Sequence, residues 1–310
     1  MATDGLTMAV LDVRLATGPV SWGVDFADAP GNPRWQQVLD EIQRSRVDAL
    51  ELGPVGYLPE DPVLLHAALD GRGLTAVGSF VFEDLHDPSS IEHVLGIAER
   101  ACRAISAAGG TVLVIIDRPS DSRAATAGQS HLAERLPAGL WMRMGQLIER
   151  VADIARKHGL RPTFHPHAGS YVEFADEIDL LLSDTDIGLC LDTGHSAYAG
   201  MPAHEAISTY AERIEHIHIK DINPRVLELV PSERLDFWGA IGAGVFCPVG
   251  AGLVDLRRVA QELEQIGYAG FVTIEQDRVA GTGTPLEDLH ASVEVLHRAG
   301  IGASGREESS

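Results

Sequence analysis

Histidines and carboxylates end four apolar segments in the second half of the chain. His165, Asp192, His218 and Glu275 occupy these positions, and Lys220 follows His218 by two residues. Alternate side chains of an extended strand share one face, so His218 and Lys220 point the same way and the intervening isoleucine points the other way. A buried group of imidazoles and carboxylates is costly without a compensating cation, and these groups bind divalent metals. The pattern therefore predicts one divalent-cation site with an ammonium group beside it.

Several of these residues also have a purely structural interpretation. Asp192 precedes a helical stretch and could simply cap it, and a lone histidine such as His167 is often a satisfied structural residue. Asp221 and Asp277 are more typical of loops or helix ends. Glu275, at the end of an otherwise apolar strand, has little structural reason to be charged, so it is the firmest functional candidate.

Two earlier segments add candidates for contacts with a substrate. Glu51 ends the second predicted strand, where a position in the pocket and a position behind it fit the sequence equally well. Trp22 and Phe80, at the ends of other early strands, are compatible with the core and equally with an apolar wall of the pocket.

The sequence alternates regularly between short apolar segments and longer amphipathic stretches, and the elements that this pattern predicts must position these residues. The short segments predict strands at 17–22, 49–52, 75–80, 111–117, 161–165, 188–192, 214–219 and 271–275. The longer stretches predict helices at 35–45, 62–72, 90–108, 141–158, 175–182, 202–213, 256–266 and 285–299. Eight strands, each followed by a helix, favour a single (β/α)₈ barrel over an open sheet, and no glycine-rich phosphate loop follows the first strand.

The barrel is expected to form one domain over residues 1–302, followed by a disordered tail over residues 303–310. Two stretches that follow predicted strand ends, 117–140 and 221–254, are longer than most connections and are predicted to be loops that cover the site. The first residues lack a basic segment followed by an apolar one, so we expect no secretory signal.

Charge and cysteine content restrict the classes of partner. The chain has 310 residues, with 45 Asp and Glu against 24 Lys and Arg, for a net charge of −21. This surplus repels phosphate backbones and anionic lipids, so neither nucleic acid nor a membrane is expected as a partner. The three cysteines, Cys102, Cys190 and Cys247, are far apart in the sequence, which is typical of reduced residues and predicts a cytoplasmic location.

Six segments together resemble a known family: GPVSWGVDF, FHPHAGSYVE, LCLDTGHSAYAG, RIEHIHIKDI, GVFCPVGAGLVD and TIEQDR. They are similar to the sugar phosphate isomerase/epimerase family of xylose isomerase-like TIM barrels, and within it to the inosose dehydratase branch. The last four segments, in this order and spacing, are specific, whereas any one alone is weak. The resemblance covers nearly the whole chain.

The resemblance implies one divalent cation at the ends of strands five to eight. In the wider family the ligands are Glu, Asp, His and Glu, and the last three fall on Asp192, His218 and Glu275. The first ligand should come from strand five, where three residues are candidates: His165, which we favour, His167 and Glu173. Two imidazoles make the site softer than the family's usual set, which favours Mn²⁺ or Co²⁺, with Fe²⁺, Zn²⁺ and Mg²⁺ as further candidates.

The resemblance also implies a reaction on a keto-sugar or a keto-inositol. The cation stabilises the enediolate that forms when the proton next to the carbonyl leaves. Candidate acids and bases are His195, Lys220, Glu275 and Glu173. A neighbouring cation is expected to lower the pKa of Lys220. Predicted substrate contacts are Trp22, Glu51, His167 and Arg225, the last by analogy with an arginine that follows strand seven in the family.

The outcome of the reaction stays open at this level. Return of the proton gives isomerisation or epimerisation, whereas loss of a neighbouring hydroxyl gives dehydration by a lyase. A further alternative is β-elimination on 3-keto-glycosides, as in a C-glycoside deglycosidase with a small partner subunit. A homo-oligomer is equally compatible with the sequence. The non-enzymatic alternative is a sugar-binding barrel without a metal.

Overall fold

Eight parallel strands close into one barrel in the computed structural model, which describes residues 11–302. This architecture confirms the predicted (β/α)₈ barrel, while the predicted tail at 303–310 lies outside the described residues. The strands in chain order are β1 (Val13–Thr17), β2 (Ala49–Glu51), β3 (Thr75–Glu83), β4 (Val112–Asp117), β5 (Arg161–Phe164), β6 (Gly188–Asp192), β7 (Ile214–Ile219), β8 (Asp221–Ile222), β9 (Phe246–Cys247) and β10 (Gly270–Ile274). The barrel runs from β1 to β7 in sequence order, and β10 closes it between β7 and β1.

Helices separate the barrel strands and pack around them. In chain order they are α1 (Trp35–Arg44), α2 (Pro62–Asp70), α3 (Ile91–Ala107), α4 (Asp121–Ala124), α5 (Ala138–Lys157), α6 (Ala175–Asp184), α7 (Thr193–Tyr198), α8 (Ala203–Thr209), α9 (Pro224–Glu233), α10 (Phe237–Gly242), α11 (Leu256–Gln265) and α12 (Pro285–Ala299). Among residues 11–302, no helix combines the length and the apolar character needed to cross a bilayer.

The alternation of side chains along β4 shows how the barrel is filled. Val112, Val114 and Ile116 lie in an apolar cluster with residues of β3 and β6, inside the barrel. Leu113 and Ile115 belong to the larger core cluster that includes the surrounding helices. Because successive side chains of a strand point to opposite faces, a continuous apolar run can serve both layers.

The predicted first strand at 17–22 is wrong. The strand is Val13–Thr17, and residues Pro19–Trp22 form a 3₁₀ turn instead. Proline lacks the N–H that a central strand needs, which favours the turn. Arg14, whose side chain is largely exposed and pairs with Asp48, interrupts the apolar pattern that would have revealed the true strand.

The predicted loop at 221–254 is also wrong, because this stretch contains β8, α9, α10 and β9. The short strands β8 and β9 pair in antiparallel fashion beside the barrel. The Asp221 carboxylate accepts hydrogen bonds from the backbone N–H groups of Gly250, Gly252 and Val254 at 2.8–3.0 Å. We call residues 221–254 the covering insert. The Asp221 carboxylate, at the start of this insert, holds the end of the insert beside it.

The other long connection is clamped by a buried arginine. Arg123, on α4, is fully buried and donates to the carboxylates of Glu173 and Glu177 and to the carbonyl of Glu134. Glu173 also accepts from the backbone N–H groups of Gly128 and Gly169. The connection after β4 is therefore tied to the connection after β5.

Close approach of β3 and β4 generates a stability prediction. A Cβ added at Gly78 would meet the backbone carbonyl of Val112, which cannot move without opening the barrel. We expect Gly78→Ala to lower the free energy of unfolding by roughly 1–3 kcal/mol.

Gly96→Ala is the matched control, because Gly96 lies in α3 with no neighbouring atoms around an added Cβ. It should raise the free energy of unfolding by about 0.5–1 kcal/mol. Urea titrations followed by circular dichroism measure both, and equal effects of the two substitutions would contradict this account of the strand contact.

Candidate metal centre and active site

The carboxyl ends of β5, β6, β7 and β10 bring the predicted ligands to one place. Asp192 on β6 lies in register with His218 on β7, and His218 lies in register with Thr273 on β10. His165 follows the last residue of β5, and Glu275 follows the last residue of β10. The four predicted ligands are each 4% exposed or less, so they sit together away from bulk water.

Distances around the Asp192 carboxylate define the centre of this cluster. Asp192 Oδ2 lies 3.9 Å from His165 Nε2 and 3.9 Å from His218 Nδ1. His218 Nδ1 lies 3.2 Å from Glu275 Oε2. The other oxygen of Asp192 accepts from the N–H groups of Gly194 and His195 at 2.8 Å. Asp192 therefore caps α7 with one oxygen and faces the cluster with the other, so the structural and functional interpretations both apply.

The atoms that face this centre fit a divalent cation. Asp192 Oδ2 and His218 Nδ1 are buried without a hydrogen-bond partner among residues 11–302, although Lys220 Nζ approaches Asp192 Oδ2 to 3.2 Å. Burial holds the pKa of His165 well below its usual range, so this imidazole is neutral and has a free lone pair. Oxygen and imidazole donors of this kind suit Mn²⁺, Co²⁺, Fe²⁺ or Zn²⁺.

His218 is oriented from below by Glu51. Glu51 Oε1 accepts from His218 Nε2 and His216 Nε2 at 2.9 Å, and from Thr273 Oγ1 at 2.7 Å. Although burial lowers the pKa of His218, the neighbouring Cys190, Glu275 and Glu51 together hold it well above its usual range. With Nε2–H bonded to Glu51, Nδ1 is the nitrogen that faces Asp192 and Glu275, and it would give up its proton when a cation binds. Glu51 was predicted to contact substrate, but it lies beneath the cluster and does not line the cavity. Its contacts are those of a residue that fixes the orientation of a metal-binding imidazole.

Lys220 lies among three carboxylates. Its Nζ is 2.7 Å from Glu275 Oε2, 3.1 Å from Asp277 Oδ1 and 3.2 Å from Asp192 Oδ2. Although burial lowers the pKa of Lys220, these carboxylates together hold it well above its usual range. This direction is opposite to the lowering that the sequence predicted, because that prediction did not include the surrounding carboxylates.

His195 is held by a backbone N–H group. Ala168 N–H donates to His195 Nδ1 at 3.1 Å, so the neutral ring carries its proton on Nε2. That nitrogen faces Lys220 Nζ at 3.3 Å and Asp277 Oδ2 at 3.4 Å. Burial holds the pKa of His195 well below its usual range. His195 thus directs its Nε2–H toward Asp277, which lines the cavity, whereas His195 itself lies behind it.

Two carboxylates in the cavity were missed by the sequence reasoning. The sequence favours a loop or helix-end role for Asp277, but this residue lines the cavity and contacts His195 and Lys220. Its position two residues after Glu275 was the available signal, since alternate residues share a face. Asp25, from the connection after β1, also lines the cavity, and burial raises its pKa to about 7. No periodic pattern marks Asp25, because it lies outside any strand.

The remaining candidates at the end of β5 differ in position. His167 lines the cavity, and its Nδ1 donates to the carbonyl of Ala168 at 2.9 Å. Its ring packs against His195 with centroids 4.1 Å apart. The Glu173 carboxylate is occupied by Arg123 and two backbone N–H groups and does not line the cavity. The structure therefore places Glu173 in the clamp between two connections and not among catalytic groups, which corrects its predicted role.

Two predicted substrate contacts lie elsewhere. Trp22 is buried in the main core, and its indole N–H donates to Glu41 at 2.6 Å. Arg225 is exposed in the first turn of α9 and does not line the cavity. The two corrections have different reasons. The true position of β1 places Trp22 in a turn, and the covering insert carries Arg225 away from the site.

Comparisons with known proteins agree with this architecture. The sequence model described as xylose isomerase-like TIM barrel matches residues 39–299. An inosose dehydratase of Geobacillus kaustophilus (strain HTA426) is 29% identical over 293 residues, covering 92% of this chain and 94% of that protein. The solved structure of the probable 3-DHS dehydratase AsbF from Bacillus anthracis matches with a TM-score of 0.69 at 14% identity, over 92% of this chain and 99% of that one. The structure of IolI protein with a bound zinc atom matches with a TM-score of 0.68 at 14% identity, over 93% and 98%. These two structural matches concern the fold alone.

The contact between Glu51 and His218 generates a prediction about metal affinity. Replacing Glu51 by glutamine keeps the size of the side chain but removes the charge that supports Nε2–H. We expect Glu51→Gln to weaken divalent-cation binding by roughly 10- to 100-fold. Titration against a fluorescent chelator measures the dissociation constant, and circular dichroism checks the fold. Glu228→Gln, an exposed change on α9, is the matched control. An unchanged affinity in Glu51→Gln would show that Glu51 does not orient the ligand.

Proposed function

Because the chain belongs to the family of xylose isomerase-like TIM barrels, we propose that it is a divalent-metal-dependent lyase or isomerase that acts on a keto-sugar or a keto-inositol. It is an enzyme of the sugar isomerase, epimerase or dehydratase kind. The observation that carries the finer proposal is the convergence of Asp192 Oδ2, His218 Nδ1 and Glu275 Oε2 on one buried point. Dehydration is the favoured outcome, since the relative that is 29% identical is an inosose dehydratase.

His165, Asp192, His218 and Glu275 would hold the cation. The choice of His165 as the fourth ligand is supported by its approach to Asp192, whereas Glu173 is occupied by other donors. Mn²⁺ or Co²⁺ is favoured by the mixed set of imidazoles and carboxylates. When bound, such a cation supplies Lewis-acid polarisation of a substrate carbonyl oxygen.

The residues around this point supply the proton transfers. Glu275 is a carboxylate in direct contact with the Lys220 ammonium, so a base and an acid stand 2.7 Å apart in one cavity. Glu275 would accept the proton from the carbon next to the carbonyl, and Lys220 Nζ would donate to a departing hydroxyl. His195, behind the cavity, would direct its Nε2–H toward Asp277. All three groups are buried, so they would act away from bulk water.

The setting proposed for this reaction is the cytoplasm. Cys102, Cys190 and Cys247 are all buried and unpaired with one another. Free buried thiols are typical of proteins in reducing compartments.

Removal of a ligand tests the metal site. We expect His218→Ala and Glu275→Ala to lose bound metal and turnover, because each removes a donor from the central point. Metal content is measured by mass spectrometry after reconstitution with Mn²⁺, and turnover as solvent-deuterium exchange into 2-keto-myo-inositol. His297→Ala, on the exposed surface of α12, is the control. Full activity of both ligand variants after chelator treatment would contradict the assignment.

Lys220 offers a separate test of the acid. Lys220→Met keeps the length of the side chain but removes the donor, so dehydration of 2-keto-myo-inositol should fall by roughly 10²- to 10⁴-fold. The variant should still bind Mn²⁺, since its four ligands are untouched. Appearance of the unsaturated product in the ultraviolet reports the rate. An unchanged kcat would remove Lys220 from the proton transfers.

A further inference from the structure

Polar groups are unevenly distributed around the cavity above the candidate metal centre. The candidate ligands come from the ends of β5, β6, β7 and β10, which lie side by side and form one half of the closed barrel. The other half consists of β1, β2, β3 and β4, and β1 lies across the barrel from β5. We call the ends of these four strands, with the connections that follow them, the opposite rim. Five of its residues line the cavity: Val20, Asp25, Phe80, Phe82 and Ile116. Among residues 11–302, Asp25 is therefore the one lining residue of the opposite rim whose side chain can form a hydrogen bond.

The backbone that carries Asp25 is held on both sides. Gly23 has a φ of +79°, and a Cβ at this position would lie only 2.5–2.8 Å from backbone atoms of the connection after β10. Val24 is fully buried in the main core. Phe26 stacks on Phe82 of β3 with ring centroids 5.6 Å apart. Asp25 therefore reaches the cavity from a segment that is fixed by packing.

The Asp25 carboxyl has no polar partner among residues 11–302. The other two carboxylates that line the cavity, Glu275 and Asp277, contact the Lys220 ammonium at 2.7 and 3.1 Å. Asp25 makes no such contact. Burial raises the pKa of Asp25 to about 7, repulsion from Asp277 and Glu275 adds to the rise, and attraction to Lys220 opposes it. A partly buried carboxyl group without a hydrogen bond is unfavourable, so this position favours a substrate group that bonds to it.

A hydroxyl group is complementary to both forms of this carboxyl. It donates to the carboxylate and accepts from the carboxylic acid. An apolar substituent at the same place would leave the carboxyl without a partner. Because the other lining residues of the opposite rim are apolar, a hydroxyl on this side of a substrate has Asp25 as its side-chain partner.

We propose that Asp25 binds a hydroxyl group on the side of the substrate ring that faces away from the candidate metal ligands, and that it thereby determines which polyols the site accepts. The proposal rests on the proposed function, which places the substrate carbonyl at the candidate metal centre. In 2-keto-myo-inositol the ring carbon opposite the carbonyl is C5, so the hydroxyl on C5 is the one that reaches the opposite rim.

The size of the cavity indicates which side must move when the ring enters. The cavity encloses about 40 Å³, which holds a few water molecules and is smaller than a six-membered polyol ring. Trp238 is 37% exposed, whereas the other lining residues apart from Asp25 are at most 9% exposed. Since Trp238 lies on α10 of the covering insert, an outward movement of the insert admits the ring and leaves Asp25 in place.

Removal of one hydroxyl from the substrate tests this contact. Mn²⁺-loaded protein is assayed by solvent-deuterium exchange with 2-keto-myo-inositol and with its 5-deoxy analogue. We expect the wild-type protein to prefer the parent compound by roughly 10- to 100-fold in kcat/KM, because the analogue leaves a carboxyl unpaired. Asp25→Ala should reduce this preference to near one. Asp25→Asn should keep most of it, since an amide can both donate to a hydroxyl and accept from it.

Two controls separate this contact from a general loss of structure. Asp28→Ala is the matched control, because Asp28 is exposed in the same connection after β1. It should keep the preference of the wild-type protein. Asp25→Ala should bind as much Mn²⁺ as the wild-type protein and give the same circular dichroism spectrum, since the four candidate ligands are untouched.

Equal kcat/KM of the two compounds with the wild-type protein, or an unchanged preference in Asp25→Ala, would overturn the proposal. An equal loss of kcat in Asp25→Asn and Asp25→Ala with both compounds would also overturn it, because that result would identify Asp25 as a group that transfers a proton.

Failure of the proposed function gives a different result. In that case the wild-type protein exchanges deuterium into neither compound. The two ketones are then not consumed, and calorimetric titration of the Mn²⁺-loaded protein with each of them still decides the proposal. Tighter binding of the parent compound that Asp25→Ala abolishes would support it, whereas equal affinities or no binding would overturn it.

Discussion

Negative charge is concentrated at the mouth of this barrel, in a region that water barely reaches. Glu51, Asp192, Glu275 and Asp277 are each at most 5% exposed, and Lys220 is the cation that contacts three of them. Two unit charges 4 Å apart attract or repel each other with an energy of about 4 kcal/mol at an effective dielectric constant near 20. His218 adds a second positive charge, since its pKa stands well above its usual range although burial lowers it. Two cations still leave a deficit of positive charge beside four carboxylates, and the closed barrel must hold the carboxylates together against their repulsion. The same deficit makes the site suited to a divalent ion.

The fold limits the cost of this arrangement by giving the carboxylates structural partners as well. Asp192 caps α7 with one oxygen, which satisfies two N–H groups at the helix start. Glu51 receives three hydrogen bonds on a single oxygen. These two carboxylates are thus partly stabilised before any cation binds, and the remaining oxygen of Asp192 faces the cluster. A core in which every buried polar atom had a hydrogen-bond partner would be more stable, so a site of this kind lowers the stability of the fold.

The sequence predicts most of this site because parallel strands end at a common rim and side chains alternate along each strand. These two rules place Asp192 beside His218 without any knowledge of loops. They fail where position depends on contacts distant in the sequence. Glu173 is removed from the cavity by Arg123, a partner fifty residues earlier, and no local pattern indicates that clamp. Asp25 enters the cavity because Gly23 packs closely against Ala280, in the connection after β10.

The covering insert and the candidate metal centre depend on the same short segment. β7 supplies His218, and the chain then reaches Lys220 and Asp221, whose carboxylate anchors the return of the insert. The backbone between them is fixed by Thr193, which donates its hydroxyl to the carbonyl of Lys220 at 2.7 Å and accepts from the N–H of Lys220 at 3.0 Å. Thr193 directly follows Asp192. A displacement of the insert would therefore act on Lys220 and Asp192 together, so the segment that brings Phe237 and Trp238 to the cavity is joined through the backbone to the candidate ligands.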